Sequence, residues 1–171
     1  MAAYRIRRAK EKDCDAVLWV LKECEKDLLK KGIDMWDYHS RDYVMDKIIN
    51  REVYLMYEGD KPVGTITLGT ELMWVPPYAN IDGLFRDMEA KAVYINSLGV
   101  LPSYQGKGLG SKLLAFAEKR ARAHSIKYVR LCALSTYTEL VGFYLNRGYR
   151  RMGDRKVSWW KEKGAFFEKA L

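Results

Sequence analysis

Apolar and polar residues change period several times along this chain, and each change marks an element. Tyr4 and Ile6 alternate with Arg5 and Arg7, the two-residue period of a half-buried strand. Farther on, Val17, Val20, Leu21, Cys24 and Leu28 follow the i, i+3, i+4, i+7 spacing of a helix with one buried face. Asp13 or Asp15 stands where that helix needs an N-cap, and Gly32 where it should end. Residues 33–39 read as an aromatic loop, and a shorter helix is expected over residues 41–49. The period then drops to that of strands. Residues 53–57 form one, Glu58-Gly59-Asp60-Lys61 a turn, and residues 63–68 the returning arm of a hairpin. Residues 74–91, with Pro76-Pro77 and mixed charges, read as a long loop.

Residues 92–100 are strand-like, and Gly99 inside them predicts a bulge or a close backbone approach. A helix follows the glycines at 106–110, with Leu113, Leu114, Ala117 and Ala121 on its apolar face. Tyr128 to Leu134 is another strand. Thr136-x-x-Glu139 has the form of a capping box opening a helix that Gly148 closes. From Tyr149 onward the chain returns as strands, including Val157-Ser158-Trp159-Trp160. An early hairpin followed by strand–helix–strand is a mixed α/β (α+β) sandwich, not a regular βαβ repeat. With no internal repeat and no linker-like stretch, residues 1–171 are expected to form a single domain.

Composition narrows the function classes. Hydrophobic residues make up 49% and charged residues 30%, which excludes a disordered chain. The net charge of +8 favours anionic partners: phosphate-bearing small molecules, nucleic acid or acidic surfaces. No apolar run approaches the roughly 20 residues of a membrane span, and the first residues lack the apolar core of a secretory signal. Cys14, Cys24 and Cys132 have no metal or disulfide spacing, so no metal site is expected and a cytoplasmic setting is. His39 and His124 read as surface or helix-end residues, and Cys132 as a small hydrophobe in a buried strand.

The chemistry is concentrated in Gln105-Gly106-Lys107-Gly108-Leu109-Gly110-Ser111-Lys112, between a strand and a helix. Glycines let a backbone approach a ligand, and the first amides of a helix form an anion site with the positive end of its dipole. Lys107 and Lys112 add positive charge. A tight turn without a ligand is the alternative. The glycines match neither a Walker A loop nor the dinucleotide fingerprint G-x-G-x-x-G.

They do match [QR]-x-x-G-x-[GA], through Gln105, Gly108 and Gly110, and this resembles the acetyl-CoA loop of the GNAT superfamily of N-acetyltransferases. Upstream, Leu98-Gly99-Val100-Leu101-Pro102-Ser103-Tyr104 resembles the family's splayed, bulged fourth strand and the turn after it. Downstream, Phe143-Tyr144-Leu145-Asn146-Arg147-Gly148-Tyr149 resembles its F-Y-x-x-x-G-[FY] segment, and the order of elements agrees from Tyr4 to Trp160. The resemblance implies a mostly antiparallel central sheet flanked by helices. It also implies acetyl transfer from acetyl-CoA to a primary amine, by direct attack in a ternary complex.

The resemblance assigns roles residue by residue. Gln105, Gly106, Lys107, Gly108, Gly110 and Ser111 would bind the pyrophosphate of CoA. The backbone of Leu98, Gly99 and Val100 would take the pantetheine arm as an added strand. Tyr144 would protonate the leaving sulfur as general acid. Tyr137 stands where the family often has an Asn that contacts the cofactor, and is a candidate contact. Lys107 or Arg147 would suit the 3′-phosphate. No general base is assignable: Tyr94 and Asn96 occupy the place where some members carry a Glu, and Glu71, Glu89 or a water path are the alternatives.

For the acceptor, Trp36 and Tyr38 with Asp37 offer an aromatic floor suited to a cationic amine. Packing of Trp36 as core is the competing reading, and Trp74 and Tyr78 allow a similar arrangement. The acceptor is expected to be a small-molecule or peptide amine, and a homodimer stays open. Two other classes remain at this point: an acyl-CoA-binding module without turnover, and a basic nucleic-acid-binding protein, although no motif of the latter kind is present.

Overall fold

The computed structural model describes residues 3–36, 39–70, 81–157 and 160–171. Its strands are β1 (Tyr4–Arg8), β2 (Glu52–Glu58), β3 (Lys61–Gly69), β4 (Ala92–Val100), β5 (Tyr128–Leu134), β6 (Arg150–Lys156) and β7 (Lys163–Ala170). Its helices are α1 (Cys14–Lys30), α2 (Arg41–Asn50), α3 (Leu109–Ala123) and α4 (Thr138–Leu145). The strand order is β1-β2-β3-β4-β5-β7-β6. The pairs β1–β2, β2–β3, β5–β7 and β6–β7 are antiparallel and β4–β5 is parallel. This is the mixed, mostly antiparallel sheet that the resemblance implies. Among the described residues no helix is long and apolar enough to cross a membrane.

The chain divides into two compact units, residues 1–69 with 96–116, and residues 70–95 with 117–171. In the first, β2 is buried on both faces. Val53, Leu55 and Tyr57 face a core built by Val17, Val20, Leu21 and Cys24 of α1 and Val44 and Ile48 of α2. On the alternate positions Tyr54 meets Phe116 of α3, ring edge to face at 4.7 Å. Strand alternation thus gives one strand two apolar faces, and helices cover both. Gly59 takes a left-handed φ of 57° in the two-residue turn between Glu58 and Lys61, as the hairpin requires.

In the second unit β5 runs between β4 and β7. The parallel pairing is short, Ala92–Tyr94 against Tyr128–Arg130. Arg130 is fully buried, donating to Glu168 Oε2 at 2.9 Å, to the Tyr94 hydroxyl at 2.9 Å and to the Asp87 carbonyl. The last contact ties the irregular segment 81–91 to β5.

Several local expectations are corrected. Asp13 occupies the N-cap position of α1 but makes no cap bond. Both its oxygens accept from Arg7 at 2.8 Å, and Oδ2 also accepts the Lys10 amide, so it closes the turn before the helix. Arg7 holds the Asp13 carboxyl down at about 2. The Thr136/Glu139 capping box is not formed, because α4 begins at Thr138 with Tyr137 as N-cap. Val157 and Trp160 are not in a strand: β6 ends at Lys156 and β7 begins at Lys163, with Ser158 and Trp159 outside the described residues. Finally, His39 is not a surface residue. It is 2% exposed, whereas His124 is exposed at the end of α3.

Candidate active site

The glycine segment forms an exposed loop leading into α3. Gly106 and Gly108 have φ of 74° and 77°, a region that side chains other than glycine rarely adopt. A Cβ built on either would meet nothing within 4 Å. Both glycines therefore serve a backbone course, with open space above it. The first helical bond is Lys112 N–H to Gly108 O at 3.1 Å, so the amides of Leu109 and Gly110 lie ahead of the helix ladder. Lys107 lies 4.7 Å over the Tyr104 ring, and the Tyr104 hydroxyl donates to Glu58 Oε2 at 2.7 Å. The Gln105 side chain turns back toward the sheet. Its Nε2 donates to Val100 O at 3.0 Å, which pins the loop to the end of β4. This cradle suits a pyrophosphate.

The irregularity in β4 lies at Ser97, which has a left-handed φ of 44°. Gly99 is instead the position of close approach. A Cβ there would come within 3.2 Å of Cys24 Sγ and 3.4 Å of the Trp36 ring. Burial pushes the Cys24 thiol up to about 12, so it stays protonated and donates to Val100 O at 3.3 Å. With Gln105, two donors now occupy that carbonyl.

His39 Nε2 lies 3.2 Å from Ser97 Oγ. Trp36 and Tyr43 meet the imidazole edge-on at 5.3 and 5.5 Å. Burial pushes the His39 ring down to about 4, with a smaller push in the same direction from Lys22 and an opposing one from the Trp36 backbone. A hydrogen bond to Ser97 acts on Tyr43, whose hydroxyl burial nonetheless pushes upward. Asn96, immediately before the kink, is 2% exposed, and neither its Oδ1 nor its Nδ2 is hydrogen-bonded among the described residues.

In the second unit Tyr144 is buried on α4 among the rings of Phe143 (5.2 Å), Phe167 (5.5 Å) and Tyr149 (6.0 Å). Burial raises its hydroxyl well above the ordinary tyrosine value, with smaller pushes from Cys132 and Tyr137. Gly148, at φ 80°, closes α4 by letting the Tyr149 amide return to Tyr144 O at 3.2 Å. Arg147 stacks 3.7 Å from the Phe143 ring centre and donates to Phe143 O. Tyr137 is half-buried, and its carbonyl accepts from Val141.

Residues 21–149 match the family model of the acetyltransferase (GNAT) family. The chain belongs to that family. Solved structures with the same fold include a GNAT-family acetyltransferase of Listeria monocytogenes, with a TM-score of 0.79 at 19% identity, covering 100% of this chain and 98% of that one. A PaiA N-acetyltransferase of Thermoplasma acidophilum in complex with coenzyme A gives 0.76 at 18% identity, covering 99% of both chains. NAA60 of Arabidopsis thaliana in complex with a bisubstrate analogue gives 0.73 at 14%, covering 98% of both.

For a GNAT protein, the residues of this chain fall into two groups. Leu98, Gly99, Val100, Gln105, Gly106, Lys107, Gly108, Gly110, Ser111 and half-buried Trp36 all belong to the first unit. Tyr137 and Tyr144 belong to the second. Asp37, Tyr38, Glu71, Trp74 and Tyr78 lie outside the described residues. Of the residues weighed as a base, Tyr94 already accepts a bond from Arg130, and Glu89 is exposed. Sequence reasoning missed the joining of His39 and Tyr43 to Ser97. No local signal announces it, because the three come together only through the fold.

Proposed function

We propose that this GNAT protein is an acetyl-CoA-dependent N-acetyltransferase. It works as one domain over residues 1–171 and moves an acetyl group to a primary amine by direct attack in a ternary complex. The observation that carries the reading is the exposed loop with two left-handed glycines, clear space above both, and the opening amides of α3. The loop residues Gln105 to Ser111 hold the pyrophosphate, with Lys107 adding charge. Because the Val100 carbonyl is occupied by Cys24 and Gln105, pairing with the pantetheine arm falls to the other backbone groups of Leu98–Val100. Tyr137 is a further cofactor contact.

The thiol leaving group has a pKa of about 8.5, and an ordinary tyrosine one of about 10, so Tyr144 is a proton donor at neutral pH. Burial keeps the hydroxyl protonated and makes it a weaker acid than an ordinary tyrosine. The amine is the harder partner. With a pKa of about 10.4 it costs roughly 4.6 kcal/mol to present neutral at pH 7. The acceptor is a small-molecule or peptide amine, with Trp36 on its side of the first unit. The free thiols of Cys14, Cys24 and Cys132 accord with a reducing cytoplasm.

Calorimetric titration with acetyl-CoA tests the reading, with Gly108→Trp as its control. That variant puts a ring into the open space and a side chain at a left-handed φ, and binding should fall at least about 100-fold. Tyr144→Phe should keep acetyl-CoA affinity and lower kcat by about 10²-fold or more. No binding by the wild-type protein would remove the enzyme reading. Binding without thiol release across a panel of amines would identify a sensor of acyl-CoA.

A further inference from the structure

The geometry around Ser97 bears on the step left without a residue, removal of the amine proton. Ser97 is half-exposed and directly precedes the Leu98–Val100 backbone that the reading above assigns to the pantetheine arm. Its left-handed φ is a strained state for a residue with a side chain, and such strain persists only where surroundings over-determine it. Here the surroundings are His39, at 3.2 Å from Oγ, and Tyr43 of α2. The adjoining Asn96 amide, buried without partners among the described residues, is a second cost that plain packing would not retain.

We propose that the Ser97 hydroxyl takes the proton of the attacking amine while passing its own proton to Nε2 of His39, with Tyr43 holding the hydroxyl in line. This rests on the acetyltransferase reading. One N–H bond of the ammonium breaks and an O–H bond forms on Ser97. The original Ser97 O–H breaks and an N–H forms on His39. The freed amine pair makes the C–N bond and the nitrogen gives up its second proton to water. The C–S bond breaks with its pair on sulfur, and the sulfur takes a proton from Tyr144, which water then restores. The imidazolium returns its proton through Ser97 to water once the product has left.

The groups facing His39 are consistent with a ring that is neutral at rest. Lys22 from α1 opposes a positive charge on it, Tyr43 from α2 is itself neutral, and Ser97 from β4 supplies the donor. Burial weakens the ring as a base, so the proton rests on it only transiently before passing on.

The chain has only two histidines, so ring ¹⁵N NMR resolves His39 directly from His124. Nε2 should carry the lone pair, and its shift should move in Ser97→Ala, a variant that keeps the backbone's burden unchanged. An Nε2–H tautomer, or a ring that ignores Ser97→Ala, overturns the relay whatever the acceptor is. In acetyl transfer to phenethylamine, Ser97→Ala and His39→Gln should each lose about 30- to 100-fold in kcat, with acetyl-CoA affinity within about twofold of wild type. Added imidazole should restore part of the rate to His39→Ala and none to Ser97→Ala. A kcat for Ser97→Ala within about threefold of wild type also overturns it. Failure of acetyl-CoA to bind the wild-type protein is a different result, seen by calorimetry, and takes down the functional reading itself.

Discussion

Two buried polar clusters in this protein are built on opposite plans. Around Arg130 every arm of the guanidinium has a partner: Glu168, the Tyr94 hydroxyl and the Asp87 carbonyl, with the Phe85 ring 4.4 Å from its carbon. Around Ser97 the groups are neutral, the backbone is strained, and the neighbouring Asn96 amide is unsatisfied among the described residues. A charged network around the guanidinium ties β5 to β7 and to segment 81–91. An open, neutral one keeps hydrogen-bonding capacity in reserve. In the first cluster only Glu168 Oε1 lacks a partner among the described residues, and it belongs to a carboxylate already paired with Arg130; in the second the whole Asn96 amide lacks one.

The comparison breaks first at Arg130. Arg130→Ala leaves Glu168 charged and buried, and should cost about 3–5 kcal/mol in urea unfolding. Arg130→Met combined with Glu168→Leu should recover most of that, since removing both charges leaves no uncompensated ion. A small loss in the single variant would mean that the network does not hold the fold.

The next effect is in pH. His39 titrates at about 4 folded and about 6.5 unfolded, so the unfolded state binds the extra proton between those values. Stability should be full above pH 6.5 and fall by up to about 3 kcal/mol as pH drops through 4. His39→Gln should flatten that slope, measured by chemical unfolding across the range. At lower pH Asp13 contributes the next loss, because its stabilisation is present above about 3.8 and disappears through about 2.

Gly99→Ala sharpens the comparison from within the open cluster. The added methyl would press on Cys24 and Trp36, and overpacking of this kind costs about 1–3 kcal/mol. Trp36 rests against His39, so the His39 ring signal should shift as well. The smallest effect is expected for Gln105→Ala. It removes one bond to Val100, worth about 1 kcal/mol, and should weaken acetyl-CoA binding roughly fivefold with only a small drop in the unfolding midpoint. Unchanged binding would show that the loop keeps its shape without this tie.

Much of the architecture was legible because it follows local rules. The face of α1 from Val17 to Cys24, the hairpin turn at Gly59 and the closure of α4 at Gly148 each depend on residues a few positions apart. The glycine loop was legible for the same reason, as its left-handed positions need glycine whatever the rest of the chain does. Local signals misled where a distant partner outcompeted them. Asp13 gave its carboxylate to Arg7 of β1 instead of the helix amides. The Thr136 capping box yielded to a start at Thr138. At Gly99 the expected close approach is met, by Cys24 and Trp36, while the irregular backbone of β4 lies at Ser97.

Sequence by itself thus determined the order of elements, the family and the glycine loop, all of which rest on period, turn chemistry and short spacing. Tertiary structure alone decided that His39 is buried, that its ring reaches Ser97, 58 positions away, and that its charge is suppressed. The reason is physical. Burial and long-range hydrogen bonds set a side chain's chemistry, and neither is a property of the residues beside it in the chain.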